Sequence, residues 1–491
     1  MAGGGVGVLP DDEDPDLLEG EREGSQDDVA GWKVAPAGPD LLAQEVAELG
    51  DPVGDRLEGR HPGGMDELGQ GTRWHAPTVP FAERADIRRP GRTLEELLPM
   101  PMTLRGAALL DGVVVPDVLV EIDGDQITAI TAVDAPDDAG GDGRAAREAT
   151  DVGGTMVPAY VDLHCHGGGG ASFTSLDPDG AGAAARHHHE RGSTSLVASL
   201  VTASPADLER GVAILAELAD EGLVDGIHLE GPWLAAARCG AHDPALLRDP
   251  DPAEVERLLE LGRGHVRMVT LAPERTGGLD LVRRLVGAGV HAAIGHTAAT
   301  YAEVAAAVDA GLDLATHLFN GMDPWHHRTP GAVPALLRAA AQGEVVVELV
   351  ADGVHLADET VATVLELVGA DRVAFVSDAT AAAGMGDGHH VLGGMPVLVV
   401  DGVARLERGP HGESPGPIAG GTSHVADIVA RALRAGLSLA YAVESASATP
   451  ARVLGLDDRG VLGPGARADL VVVDELGRVG RVMRAGHWLG A

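Results

Sequence analysis

The sequence predicts an α/β protein: a (β/α)8, TIM-like barrel carrying a small β-sandwich domain built from the segments before and after it. Three observations lead there. Between residue 157 and about residue 385, eight apolar β-runs alternate with Ala/Leu/Glu/Arg-rich helical stretches, the rhythm of a closed barrel rather than an open nucleotide-binding sheet. Short alternating strands punctuated by Asp-Gly turns lie on both sides of that stretch. Finally, ionisable residues gather at the C-terminal ends of the β-runs, where barrels of this kind carry their chemistry.

The elements follow in order. Residues 1–101 contain the acidic run "LPDDEDPDLLEGEREGSQDD" and the polar "GRHPGGMDELGQG". So little apolar surface cannot offset the entropy of ordering, which predicts an acidic disordered extension. A translation start at Met100 or Met102 is the companion expectation, because strand–turn–strand begins at once with "MTLRGAALLDG". Residues 102–156 read as the first sandwich part, with "GAALLDG", "VLVEIDG" and "ITAITAV". Residues 157–388 hold the eight barrel strands: "MVPAYVDLHCH", "STSLVASLVT", "VDGIHLEG", "HVRMVTLAP", "HAAIGHT", "LDLATHLFN", "EVVVELVADG" and "RVAFVSDA". Residues 389–413 are expected to add an insert to the sandwich, residues 414–457 to supply the last barrel helices, and residues 458–491 to complete the sandwich.

Composition removes several classes of function. A formal charge of −39 over 491 residues repels phosphate backbones, so no nucleic acid partner is expected. No apolar run approaches the ~20 residues that span a bilayer, and the acidic start lacks a secretory h-region. The two cysteines, Cys165 and Cys239, cannot build a disulfide framework, which fits a reducing, cytoplasmic setting. Lys33 is the sole lysine, so Schiff-base chemistry, a phosphate-loop lysine and a carboxylated lysine bridge are all excluded. No G-x-G-x-x-G follows a first strand, which removes dinucleotide cofactors.

The strand ends carry His164 and His166 (first), Glu230 (third), His296 (fifth), His317 (sixth), Asp352 to His355 (seventh) and Asp378 (eighth). Alternation along a strand puts His164 and His166 on one face and turns Cys165 towards the helices, as a core thiol rather than a ligand. Imidazoles and carboxylates suit a borderline divalent ion, zinc first, with iron, manganese or cobalt as alternatives. Glu230, His296 and His317 would hold one ion, and His164 with His166 a second, with Glu230 as the bridge. Asp378 is placed as the general base that takes a water proton and returns it to a leaving amine. The run "ARHHHERG" reads as solvated surface, and His389 and His390 as turn residues. Cys239, before "GAHD", is expected at an exposed edge of the site.

The stretches "PAYVDLHCHG", "HLEGPWL", "CGAHDPALL", "IGHTAAT", "THLFNGM", "RTPG", "VADGVHL" and "VSDATAAAG" resemble, in order, the N-acetylglucosamine-6-phosphate deacetylases of the amidohydrolase superfamily. The resemblance implies hydrolysis of the N-acetyl group of a phosphorylated amino sugar by metal-activated water. It implies Glu230, His296 and His317 as the main ligands, His164 and His166 as the variant with a second metal, and Asp378 as the catalytic aspartate. Ala241, His242, Asn320, Gly321 and His355 match sugar-contacting positions, and Ile418, Ala419 and Gly420 of "PIAGG" match a loop that closes on substrate. His242 or His355 would stabilise the oxyanion. Arg328 matches a phosphate-binding arginine that reaches the neighbouring active site of a homodimer. The alternatives are a deacetylase for the galactosamine 6-phosphate epimer, another amide hydrolase on the same barrel, or a barrel retained as a silent scaffold.

Overall fold

The computed structural model describes residues 101–133 and 149–490; of the expected acidic extension and start at Met100 or Met102, residues 1–100 lie outside the described residues and Met102 opens a strand. Eight parallel strands follow one another in spatial order as they do in sequence: Tyr160–Cys165, Ser193–Val201, Gly226–Glu230, Val266–Leu271, His291–Ile294, Leu314–Ala315, Val346–Leu349 and Val373–Phe375. All eight expected β-runs are present. The ring is completed just past the eighth strand. Asp378 N–H donates to the His164 carbonyl (2.8 Å) and His166 N–H to that of Ala379 (2.7 Å). The Ser377 hydroxyl and amide donate to the Asp162 carboxylate at 2.6 and 3.1 Å. A hydrogen-bonded seam therefore joins the last strand to the first beside the site.

Helices between the strands open on caps that the sequence spells out. Ser204 accepts from the Asp207 amide at the start of Pro205–Asp220, and Thr300 with Glu303 forms a reciprocal capping box on Tyr301–Asp309. Such caps are each worth about 1 kcal/mol. They end the loops that carry site residues at defined points.

A seven-stranded sheet unites both chain segments outside the barrel. Its order is His487–Leu489, Val479–Arg484, Leu470–Val473, Thr150–Pro158, Met102–Leu110, Val113–Asp123 and Gln126–Ala132. It curls on itself: Ile127 N–H donates to Ala466 O (2.9 Å) and Ala468 N–H to Asp125 O (2.7 Å). Leu104, Val120, Ile127, Met156, Leu470 and Met483 fill the enclosed core. One residue, Ala159, separates this sheet from the first barrel strand. Asp469 locks that crossing from a buried position. Its carboxylate accepts from Thr194 Oγ1 (2.8 Å) and the Ala485 amide (2.6 Å) and pairs with Arg467.

Two local expectations are corrected. The 389–413 segment does not join the sandwich: Gly388–Leu392, Met395–Val400 and Val403–Leu406 form an antiparallel sheet of their own. It packs at the C-terminal end of the barrel strands. There its apolar face, Leu392, Val397, Val399, Ala404 and Leu406, is met by Val201, Ala382 and Ala419. His389 and His390 lie in its first strand rather than in a turn. The histidine run is not solvated surface either. His188 and His189 are buried, at 0 and 4% exposure, because Ala181, Ala184 and Ala185 let the helix Pro178–His189 approach the sheet closely. His188 Nε2–H donates to the Gly167 carbonyl at 2.8 Å, and burial pulls this imidazole down to about 3.

Candidate active site and metal centre

Strand ends bring the expected metal-ligating side chains together around Glu230. Glu230 closes the third strand and is almost fully buried. Its Oε1 lies 2.9 Å from His296 Nε2 and 3.0 Å from His317 Nε2, and those two nitrogens are 3.2 Å apart. Its Oε2 lies 3.2 Å from His166 Nε2 and 3.7 Å from His164 Nε2, which are themselves 3.0 Å apart. Glu230 thus offers one oxygen to each histidine pair.

Bonds of about 2.0–2.1 Å from zinc to nitrogen and oxygen, set tetrahedrally, separate neighbouring ligand atoms by about 3.3 Å. Both donor sets have that scale, the atoms of each lying within 4.8 Å of one another. The residues fit one divalent ion at Glu230, His296 and His317, and a second at His164, His166 and Glu230. The chemistry of the donors agrees, being neutral imidazoles around a shared carboxylate.

Supporting contacts fix which nitrogen faces each point. His296 Nδ1–H donates to the Arg238 carbonyl (2.8 Å), His166 Nδ1–H to that of Ser199 (3.1 Å), and His164 Nδ1–H to Glu348 Oε2 (3.1 Å). Each leaves Nε2 as the ligand atom, the arrangement by which outer partners orient metal-binding imidazoles. Glu348 Oε2 also accepts the His317 amide at 3.2 Å. Glu348 is fully buried in the seventh strand and was not among the expected site residues; a single carboxylate within the apolar run "VVVELV" was the signal. A second polar layer lies two residues before Glu230 on the same strand. His228 connects Ser199 Oγ (2.9 Å) to Thr270 Oγ1 (2.7 Å), which continues to Thr316 Oγ1 (2.7 Å). Burial holds His228 well below the ordinary histidine range, so it is a neutral member of this chain.

Asp378 Oδ1 faces the second pair, 3.3 Å from His166 Nε2 and 3.5 Å from His164 Nε2. Burial opposes its charge, but His164 and His166 outweigh burial and hold the carboxyl well below the usual range. His296, His317 and Asp378 all adopt positive φ, 47°, 29° and 47°. Three strained backbones at one site are a conformational cost tolerated where function demands a particular side-chain aim. Gly321, at φ 63°, is required by proximity: a Cβ there would lie 2.8 Å from His296 Nδ1.

Above the ligands lies a cavity of about 310 Å³. Ala241, His242, Asn320, Gly321, His355, Ile418 and Gly420 line it together with His166, Glu230, His296, His317 and Asp378. Ala419 turns its side chain under the inserted sheet. Arg328 lies on the exposed surface outside this cavity, its Nη1–H donating to His327 Nε2 at 2.7 Å. His242 Nδ1 accepts from the Thr202 amide (3.3 Å), so its Nε2 carries the hydrogen and points towards Glu230 Oε2 (3.5 Å). Burial pulls His242 down to about 4, so it is a neutral donor. His355 differs: burial lowers it, yet its Nδ1–H bond to Asp352 Oδ2 (2.9 Å) outweighs that and raises it.

Both cysteines are accounted for. Cys165 faces the helix layer, as strand alternation requires, with Sγ 3.2 Å from His188 Nε2. Asp162, Cys165 and His188 also approach one another, but both Asp162 oxygens are engaged by Ser377 and by the His164 amide. That group is a structural knot. Cys239 is not exposed as expected: it is buried, and burial raises its thiol above the ordinary range, unlike a reactive thiolate.

Comparison with known proteins agrees with this geometry. The Amidohydrolase family profile matches residues 155–489. A point mutant of the N-acetyl-D-glucosamine-6-phosphate deacetylase from Mycobacterium smegmatis, solved in complex with N-acetyl-D-glucosamine-6-phosphate, superposes with a TM-score of 0.73 at 44% identity, covering 79% of this chain and 99% of that one. An N-acetylgalactosamine-6-phosphate deacetylase of Escherichia coli O157:H7 is 36% identical over 65% of this chain and 83% of its own length. The N-acetylglucosamine-6-phosphate deacetylase of Bos taurus is 35% identical over 68% and 83%. With its ligand set, its barrel and these relatives in agreement, the chain belongs to the amidohydrolase family, among the N-acetylglucosamine-6-phosphate deacetylases.

Proposed function

We propose that this protein hydrolyses the N-acetyl group of N-acetyl-D-glucosamine 6-phosphate, giving D-glucosamine 6-phosphate and acetate. The observation that carries the reading is the Glu230 carboxylate shared between two histidine pairs, with Asp378 Oδ1 facing one of them. When bound, a divalent ion, zinc by ligand chemistry, acidifies water and polarises the acetyl carbonyl. Asp378, held ionised, accepts the water proton and returns it to the departing amine. His242, neutral with Nε2–H directed into the cavity, donates to the oxyanion as it forms. His355, steadied by Asp352, together with Asn320, Gly321 and Ala241, holds the sugar. Ile418 and Gly420 cover it from the loop side, with Ala419 between them. Arg328, outside its own cavity, suits a homodimer in which it reaches the neighbouring site. Amino-sugar metabolism in the cytoplasm is the corresponding setting.

A second reading, the galactosamine 6-phosphate epimer, is favoured by the Escherichia coli relative. Acetate release from both N-acetylhexosamines, with and without the 6-phosphate, separates the readings. The glucosamine epimer with its phosphate should be turned over fastest. Asp378→Asn should lower kcat by about 10²–10⁴ while metal content persists; undiminished turnover would remove Asp378 from the role of base.

A further inference from the structure

The geometry points to Arg405 as a phosphate-binding, specificity-determining residue that the chain supplies to its own active site from the inserted sheet. The inference rests on the substrate reading above. A phosphorylated sugar brings a dianion to a cavity lined by Glu230 and Asp378, on a chain of net charge −39. Arg328 stands outside its own cavity and in the homodimer reading would serve only the neighbouring one, so a cation from the same chain would act beside it. Among the residues lining the cavity, Arg405 is the sole arginine, and the chain has no lysine there to substitute for it.

The state of Arg405 suits the role. It is half-buried on the strand Val403–Leu406, and among the described residues no carboxylate pairs with it. One guanidinium N–H, on Nη1, donates to the Gly416 carbonyl at 3.3 Å. A guanidinium has five N–H donors, so a fork remains for paired, charge-assisted bonds to phosphate oxygens. Arginines elsewhere in the fold differ: Arg248 is tied to Glu254, Arg431 to Asp358 and Arg467 to Asp469.

Its position also couples binding to closure. Arg405 lies opposite Ile418 in an antiparallel bridge. Flanking bonds run from Leu406 N–H to Pro417 O (3.0 Å) and from Ala419 N–H to Ala404 O (3.0 Å). The strand that presents the cation is therefore stitched to the loop that places Ile418 and Gly420 over the cavity. Phosphate held by Arg405 draws that loop onto the sugar, so contacts remote from the acetyl group contribute to positioning it.

The test uses the full-length, metal-loaded enzyme and measures kcat/KM on N-acetylglucosamine with and without its 6-phosphate. Arg405→Gln keeps a polar N–H side chain while removing the charge; Arg405→Lys keeps a charge without the fork. The expected result is a fall of roughly ten- to a hundredfold in the ratio of phosphorylated to free sugar for Arg405→Gln, with partial recovery in Arg405→Lys. Competitive inhibition by inorganic phosphate should weaken in parallel. An equal loss on both sugars would show a structural role and overturn the assignment, as would an unchanged ratio. A wild-type enzyme indifferent to the phosphate would overturn the substrate reading first, before any substitution is made, and the assignment with it.

Discussion

Glu348 provides the sharpest test of how the metal centre is organised. Its Oε2 accepts two N–H groups, from His164 Nδ1 at 3.1 Å and from the His317 backbone at 3.2 Å, while Oε1 has no hydrogen-bond partner. In Glu348→Gln the amide oxygen can occupy the Oε2 position and keep both contacts, but without charge. A bond to a charged group is worth about 1.5–3 kcal/mol and a neutral one about 0.5–1.5. The two bonds together therefore lose on the order of 2–3 kcal/mol of support, and the amide NH2 takes the unpartnered Oε1 site. Removing such outer support typically costs about 10–100-fold in metal affinity, and Glu348→Gln should fall in that range at the His164/His166 position. Glu348→Leu, which removes the acceptor altogether, should lie at its upper end. Titration against a chromophoric chelator, counting equivalents of zinc, reads both stages. The Glu230/His296/His317 position should weaken less, because only the His317 backbone is touched. Two equivalents bound as in the wild type by both variants would refute the claim that Glu348 orients His164.

Further outcomes follow from the same geometry. Exhaustive chelation should abolish acetate release, and adding back zinc, manganese or cobalt should restore it; activity that survives complete metal removal would contradict the ligand assignment. Gly321→Ala should reduce metal retention and turnover together. A side chain at φ 63° costs about 1–2 kcal/mol, and the new Cβ meets His296 Nδ1; full zinc occupancy would argue against it. Asp469→Ala strands buried Arg467 and should destabilise the fold by about 3–5 kcal/mol, read as a lowered Tm. Burial raises the Asp469 carboxyl, but Arg467 outweighs burial and lowers it below 3.8. Its stabilising contribution is therefore complete above that value and is lost as pH falls below it, so Asp469→Asn should flatten the acid limb of stability against pH.

The barrel was legible because its signals are local and repeated: eight apolar runs, six of them ending in ionisable residues that the fold brings to one face. The placement of Glu230, His296, His317 and Asp378 at those strand ends was legible for the same reason. What escaped depended on contacts between distant segments. The histidines at 187–189 look polar, yet their helix is pressed inwards by small residues, and His188 finds the Gly167 carbonyl across the turn. The inserted sheet has the same alternation as the sandwich strands, so its pattern could not say which apolar surface it would meet. Val201, Ala382 and Ala419 decided that. Glu348 was hidden inside a hydrophobic run, since its partners, His164 and His317, lie 184 and 31 residues away.

The left-handed backbones at His296, His317 and Asp378 also bear on how this active site can change over time. Apart from glycine, the residues that enter this region most readily are Asn, Asp and His. At these three positions the conformational requirement and the chemical one admit nearly the same short alphabet. His317→Asn or Asp378→Asn alters the chemistry while respecting the turn, so a folded barrel should survive each exchange. Val or Thr at the same places would lose ligand and turn together. The enzyme therefore lies a few tolerated substitutions from an inert barrel, and the routes to it run through Asn.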